Sequence, residues 1–305
     1  MTSSRDLQAK LQKTVWNGSI PLEIRLANAD CRTYDESDPY LIQFPRLSYL
    51  ALLIPGLRSF FSSFLIHPDV SPDETWLSYQ GVPLKWQYPL GLLYDLYSGS
   101  EPAYPKGEAE EKDEPSQPWK LTIHFTDLPL EHLIRLDVEG KHLHDLFINN
   151  VKEADFLRNG TGKTVMSLSK EDSTQLWESV KQHKFSLFSP INQKLLSPQG
   201  TSLRHLPIRL YLPSKPRDDK SNRSIRVVQG LVPLTLSSSR QTQTVGTALN
   251  QVLKPLFPST RTALEAQPIL HGAVLPLSTS LEDLVRVTPY LDGWLHIAIK
   301  MRHMG

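Results

Sequence analysis

Within 305 residues one order of hydrophobic patterns occurs twice, and it narrows the fold more than any other feature of the chain. In the first copy Ile20, Leu22, Ile24 and Leu26 alternate with other residues, as on a strand with one buried face, and residues 40–44 supply a second strand. Residues 48–66 then read as helical, kinked or divided by Pro55-Gly56. Short strands at 76–79 and 84–88, a short helix at 90–97 and a closing strand at 121–125 follow, with Leu121, Ile123 and Phe125 alternating. In the second copy residues 206–212 and 225–236 supply the hairpin, 244–256 the helix, 269–271 a short strand, 280–287 a short helix and 294–299 the closing strand. The repeat is one of element order, not of sequence.

Hairpin, helix, short strands, short helix, closing strand is the β-grasp order of ubiquitin-like folds. Between the copies, residues 139–197 read as helices: Leu143, Leu146, Phe147, Val151, Ala154 and Leu157 are spaced mostly by three or four, and a second helix starts at Ser169 with Asp172 at capping spacing. A third spans 185–196, kinked by Pro190. The predicted fold is α+β, two ubiquitin-like modules flanking a helix-rich domain. Its expected divisions are an N-terminal helix at 1–16, module A at 17–126, the helical domain at 127–203 and module B at 204–305. The N-terminal helix has Ser3 and Asp6 at capping spacing and Leu7, Leu11 and Val15 on one face. Residues 98–118, rich in Pro, Gly and Glu without apolar periodicity, read as a solvated, mobile insertion, and 213–224 as a polar loop.

Composition excludes several classes. Apolar residues at 39% and charged residues at 21% belong to a globular chain rather than a disordered one. With 33 basic against 32 acidic side chains, wholesale nucleic-acid binding has no electrostatic support. Cys31 stands alone, so no intrachain disulfide forms and a reducing compartment is expected. The residues before Trp16 lack the apolar core of a signal peptide, and the most apolar stretch, 49–57, is too short to span a membrane.

No motif calls for catalysis or a cofactor. The segment 159–164 resembles the end of a phosphate-binding loop, but Leu157 stands where that motif needs glycine, so an interhelical turn is the better reading. Ten histidines include no metal-ligand spacing: His142 and His144, two apart, point to different faces of a helix. The aromatic group Trp76, Tyr79, Trp86 and Tyr88 is expected to fill the core of module A rather than form a binding face.

Several stretches resemble the autophagy protein 5 family. Val15-Trp16-Asn17-Gly18-Ser19-Ile20-Pro21 is similar to its opening motif, and Pro39-Tyr40 with Pro45-Arg46-Leu47-Ser48-Tyr49-Leu50 to its next block. The most specific is Pro83-Leu84-Lys85-Trp86-Gln87-Tyr88-Pro89-Leu90-Gly91-Leu92-Leu93. Pro118-Trp119, the run from Leu206 to Tyr211, His271-Gly272 and Leu295-His296-Ile297 extend the likeness nearly end to end.

The resemblance implies a scaffold without catalytic residues of its own or a cofactor. It implies that Lys152, in Lys152-Glu153-Ala154-Asp155, accepts the C-terminal glycine of the ubiquitin-like autophagy protein 12 in an isopeptide bond made by the autophagy conjugation enzymes. The conjugate, held by a helix of autophagy protein 16, then promotes autophagy protein 8 lipidation in the cytoplasm, peripherally at preautophagosomal membranes. The helical pattern itself places Lys152 opposite the apolar stripe, facing water. Arg46, between a strand and a helix, is a candidate contact for autophagy protein 16, and Phe156, one turn beyond Lys152, for the attached protein. Arg158, Lys163, Lys170, Lys181 and Lys184 are candidates for contact with an anionic membrane, although interspersed acidic residues make a solvated charged face the simpler reading. The alternatives are a free-standing hydrolase with a site assembled across domains and a plain peripheral membrane adaptor.

Overall fold

A computed structural model describes residues 4–33, 37–100, 102–103, 117–137, 139–196, 203–213, 225–236 and 241–302. Helix α1 (Ser4–Asn17) leads into module A, made of β1 (Ser19–Leu26), β2 (Tyr40–Pro45), α2 (Ile54–Phe61), β3 (Trp76–Tyr79), β4 (Val82–Pro83), α3 (Leu90–Tyr97) and β5 (Trp119–His124). The sheet order is β2-β1-β5-β3-β4, with β1 antiparallel to β2 and parallel to β5. The helical domain follows: α4 (Lys141–Asn159), α5 (Lys163–Met166), α6 (Lys170–Gln182) and α7 (Phe185–Leu196). Module B comprises β6 (His205–Leu206), β7 (Ile208–Pro213), β8 (Ile225–Gln229), β9 (Val232–Pro233), α8 (Val245–Val252), β10 (Ala266–Leu270), β11 (Ala273–Val274), α9 (Leu281–Val287) and β12 (Leu295–Met301). Its sheet order is β11-β10-β12-β7-β8, with β7 antiparallel to β8 and parallel to β12. Both modules thus share one wiring, a hairpin whose first strand pairs in parallel with the last, which is the β-grasp arrangement predicted from element order.

Strand alternation decides what is buried. Along β1, Ile20, Leu22, Ile24 and Leu26 are buried and the residues between them are not. Those side chains pack on Leu57 and Phe61 of α2 and on Leu90, Leu92 and Leu93 of α3 as part of one core, and at about 25 cal/mol per Å² each buried leucine or isoleucine contributes roughly 1.5–3 kcal/mol.

Several elements differ from the sequence reading. The helix predicted over 48–66 shrinks to α2, flanked by 3-10 turns at Leu50–Leu53 and Ser62–Phe64. Pro55 occupies its first turn, where the missing N–H costs nothing, so proline starts this helix rather than kinking it. Residues 225–236 divide into β8 and β9, the latter pairing β6 outside the main sheet. On α1 the stripe read from Leu7 and Leu11 is largely open to solvent. The helix docks through Trp16 instead, stacked on His183 at 4.4 Å and edged by Phe185 and Phe188 of α7. Ser3, its expected cap, lies outside the described residues.

The insertion read at 98–118 lies mostly outside the described residues, as does 214–224 of the polar loop. Of its described residues Gly99, Ser100, Gln117 and Pro118 are exposed, as the solvated reading expects, but Pro102-Ala103 is docked. Pro102 is buried, the Ala103 N–H donates to Gly272 O at 2.8 Å and the Val274 N–H donates to Ala103 O at 2.9 Å. Ala103 thereby covers the open edge of β11, an edge that would otherwise offer unpaired backbone groups. Among the described residues, no helix is long and apolar enough to cross a membrane.

Candidate functional site

Helix α4 carries the predicted acceptor. Its N-terminus is capped by Asp137, whose carboxylate accepts from the backbone N–H groups of Lys141 and His142, both at 2.8 Å. It ends at Gly160, in the left-handed conformation. The segment read as an interhelical turn is therefore a helix stop followed by α5. Leu143, Phe147, Val151 and Ala154 are buried, and Lys152 is exposed on the other side. The Lys152 side chain makes no ion pair or hydrogen bond among the described residues.

The acidic neighbours of Lys152 are engaged elsewhere. Asp155 is buried and accepts from Asn159 Nδ2 at 2.6 Å and from the Val165 N–H at 3.1 Å, pinning α5 against α4. Glu153 is ion-paired to Arg209 of β7. The same guanidinium donates to Asn150 Oδ1 at 2.9 Å and lies over the Trp294 ring at 3.8 Å, while Trp294 Nε1–H donates to Asn150 O at 2.9 Å. Module B thus holds α4 by the residues on either side of Lys152. Phe156, one turn on, is 59% exposed. Leu157, read as part of the stripe, is half-buried, and its place inside is taken by Arg158 and Asn159.

Two of the sequence candidates fall in domain junctions. Arg158, read as a membrane contact, is 1% exposed, and a Cβ on Gly293 (φ +82°) would come within 3.0 Å of its Nη2. Burial draws its guanidinium down to about 10, against the pull of Asp155 and Asp292, so it remains a buried cation facing module B. Arg46, read as a partner contact, has a side chain 12% exposed. It pairs with Asp95 of α3, its Nη2 donates to Gly91 O at 3.2 Å, and the other Asp95 oxygen accepts from the Gly272 N–H at 3.0 Å. Arg46 therefore ties module A to module B through internal partners. Lys163, Lys170, Lys181 and Lys184 are exposed, with Lys181 paired to Glu178 at 2.6 Å.

Beneath these junctions lies a polar row that sequence reasoning missed. Tyr211 Oη meets His296 Nδ1 at 2.8 Å, and His296 Nε2 meets Asp292 Oδ2 at 3.0 Å. One proton placement satisfies every atom: Tyr211 O–H donates to Nδ1, and Nε2–H donates to an ionised Asp292, whose other oxygen accepts from the Trp294 N–H. Burial opposes the Asp292 charge, but His296 and that N–H outweigh it and hold the carboxyl below its ordinary range.

A hydroxyl, an imidazole and a carboxylate in a row are the parts of a nucleophilic triad, so the hydrolase reading is tested here. Asp292, His296 and Tyr211 are each 1–2% exposed, which leaves a substrate no access. Burial also pushes the Tyr211 hydroxyl well above its usual range, so it stays protonated. The row is structural. A second pair, Ser78 Oγ to His124 Nε2 at 2.9 Å, sits beside Asp30, whose carboxylate is occupied by the Phe125 N–H and the Thr126 hydroxyl. No group of three or more potential metal ligands occurs among the described residues. Of the aromatic group in module A, Trp86 is buried, Trp76 stacks on His124 at 3.8 Å and Tyr88 meets Tyr211 edge-on across the modules.

His271 makes the junction sensitive to acid. Its Nε2–H donates to Thr288 O at 2.8 Å, and its Nδ1 is buried without a partner among the described residues. Burial, with Arg46 and His296 nearby, lowers its titration from 6.5 to about 4 despite the Thr288 bond. The folded protein therefore resists a proton that the unfolded chain accepts, and stability falls as pH drops from 6.5 toward about 4. Between pH 6.5 and 5 a loss of about 2 kcal/mol is expected. Denaturant midpoints across that range check it, and His271→Gln, which keeps a donor for Thr288, is expected to flatten the slope.

A groove of about 200 Å³ opens where α1, α7 and module B meet, lined by Gln8, Gln12, Phe188, Asn192, Val287 and Leu291 among others.

Three family models match consecutive parts of the chain: Autophagy protein ATG5, UblA domain, at residues 15–125; Autophagy protein ATG5, alpha-helical bundle region, at 140–198; and Autophagy protein ATG5, UblB domain, at 205–299. The chain is 60% identical over 309 residues to Autophagy protein 5 of Phaeosphaeria nodorum, covering 98% of this chain and 99% of that one. It is 49% identical over 324 residues to Autophagy protein 5 of Neosartorya fischeri, with the same coverage. Among solved structures it resembles Kluyveromyces marxianus Atg5, with a TM-score of 0.73 at 22% identity, over 95% of this chain and 99% of that one.

Proposed function

The chain belongs to the autophagy protein 5 family and so has its role in autophagy, and from that premise we propose that it is a scaffold conjugated at Lys152. The observation that carries the reading is an exposed amine, unpaired among the described residues, on a helix whose other face is packed. The bond would form by attack of that amine on the thioester carbonyl joining the C-terminal glycine of autophagy protein 12 to a conjugating enzyme. The C–S bond breaks, the thiolate leaves with the enzyme, and the amine proton passes to a base of the enzyme or to water. An aqueous lysine amine is almost wholly protonated at neutral pH, so deprotonation belongs to the enzyme's site. Lys152 is the acceptor and no catalyst.

The conjugate, held through a helix of autophagy protein 16, would then promote autophagy protein 8 lipidation at preautophagosomal membranes. The groove shared by α1, α7 and module B supports the helix partnership, since it offers apolar walls with amide side chains between them. The exposure of Phe156 one turn beyond Lys152 supports a contact with the attached protein. Electrophoresis of the protein from its own cells tests the reading: a species heavier by one ubiquitin-like protein, resistant to denaturant and reductant and branched at Lys152 by peptide mapping, is expected. Its absence, or a branch at another lysine, overturns the assignment.

The exposed amines of Lys163, Lys170 and Lys184 favour an electrostatic membrane contact as a second role. Co-sedimentation with anionic vesicles is expected at low salt and should fade toward 0.5 M, roughly where the screening length drops below about 5 Å. Binding that persists at high salt, or none at low salt, excludes that role.

A further inference from the structure

The structure points to Arg209 as a residue that sets up the acceptor lysine, an inference that rests on the reading of Lys152 given above. Arg209 lies far from Lys152 in the chain, yet its guanidinium grips Asn150 and Glu153, the residues that bracket Lys152 on the surface of α4. We propose that Arg209 is a positioning residue for conjugation, fixing the turn that presents Lys152 and holding the Glu153 carboxylate away from its amine.

Three features make the grip selective. The guanidinium is stacked on Trp294 at 3.8 Å, so its direction is set by a buried ring rather than by a free side chain. Trp294 itself donates to Asn150 O, which anchors the same turn a second time. The planar fork reaches an amide oxygen and a carboxylate together, which a lysine at that position could not do.

The charge argument is independent of the geometric one. Two acidic side chains stand within three residues of Lys152 on its C-terminal side, and a free carboxylate near the amine would favour the ammonium form. Asp155 is consumed inside the helical domain and Glu153 by Arg209. The amine is left for an incoming enzyme to deprotonate without first breaking an ion pair. Arg209 touches no reacting atom, so it is not a catalytic residue.

The test is single-turnover transfer of autophagy protein 12 from its thioester-charged conjugating enzyme to the full-length chain, measured between pH 6.5 and 9. Arg209→Ala is expected to slow transfer ~5–10-fold, about 1 kcal/mol or slightly more on the barrier, and to move the pH profile toward higher pH. Glu153→Gln alone should stay within about twofold of the parent. Combined with Arg209→Ala, it should recover most of the rate and return the pH profile, because the carboxylate that Arg209 held is gone. A merely structural Arg209 would leave the double variant as slow as Arg209→Ala, and that outcome overturns the proposal. So does an Arg209→Ala rate equal to the parent's. Should Arg209→Ala fail to fold, Arg209→Gln, which keeps a stem over Trp294 and a donor for Asn150 but no charge for Glu153, carries the same expectations. Transfer to a Lys152→Arg chain at the parent's rate would instead sink the acceptor assignment, which separates the two failures.

Discussion

In the Lys152→Arg protein the heavier covalent species is expected to vanish from denaturing gels while the unfolding midpoint stays where it was. The two halves have separate physical causes. A guanidinium keeps its proton at neutral pH and its lone pairs are delocalised, so it is no acceptor for a thioester carbonyl. The fold has little to lose, because Lys152 is exposed and makes no ion pair or hydrogen bond among the described residues. Arginine is as good a helix former as lysine, and a surface change of this kind stays within about 0.5 kcal/mol. The groove proposed for autophagy protein 16, between α1, α7 and module B, lies on other elements, so any binding there should survive. A heavier species that persists in Lys152→Arg cells, or a midpoint shift well beyond that bound, would refute the assignment.

What could be read from sequence followed from periodicity. The alternation along β1 and β5 and the apolar spacing in α4 report a buried face directly, because each side chain's direction is fixed by its own backbone. The element order then gave the β-grasp modules, and the sheets show the same wiring twice. Polar residues at the junctions carry no such signal. Arg46 and Arg158 look from sequence like surface cations, the usual place for arginine. Their burial depends on residues far along the chain: the acceptors Asp95 and Gly91 for Arg46, and the charge of Asp292 with close packing on Gly293 for Arg158. The resemblance covers the Arg46 junction without explaining it. Its motif segments around Arg46, Gly91 and His271-Gly272 converge there, where a Cβ on Gly272 (φ +83°) would come within 3.2 Å of the Arg46 guanidinium. Lys152 was legible as an exposed position but not as a clamped one, since Arg209 is invisible to any reading of α4 alone.

Asp292→Ala is expected to be a severely damaging change in module B, costing ~2–5 kcal/mol, since it strands two buried donors at roughly 1–3 kcal/mol each. Its carboxylate serves three groups. It accepts from His296 Nε2 and from the Trp294 N–H, and its charge balances Arg158, whose guanidinium packs against Gly293. Alanine would leave two buried donors without acceptors and place Arg158 in a junction with Asp155 as its remaining near countercharge. Asp292→Asn separates these contributions. Its amide oxygen can still accept from the Trp294 N–H. Its amide nitrogen can donate to His296 Nε2 if the imidazole moves its proton to Nδ1 and donates to Tyr211 Oη. The hydrogen bonds then survive and the charge does not. The asparagine variant should therefore lose less than the alanine one, and the remainder measures what the carboxylate is worth to Arg158. Against a total stability of roughly 5–15 kcal/mol, the alanine variant should melt far earlier and lose the grip of module B on α4, because Trp294 and Asn150 are joined just beyond Asp292. Hydrogen exchange along α4 would show this as faster exchange around residues 147–154. Denaturant titration giving less than about 1 kcal/mol for alanine would show that the carboxylate does not hold this junction together, and equal losses for alanine and asparagine would show that its hydrogen bonds add nothing to its charge.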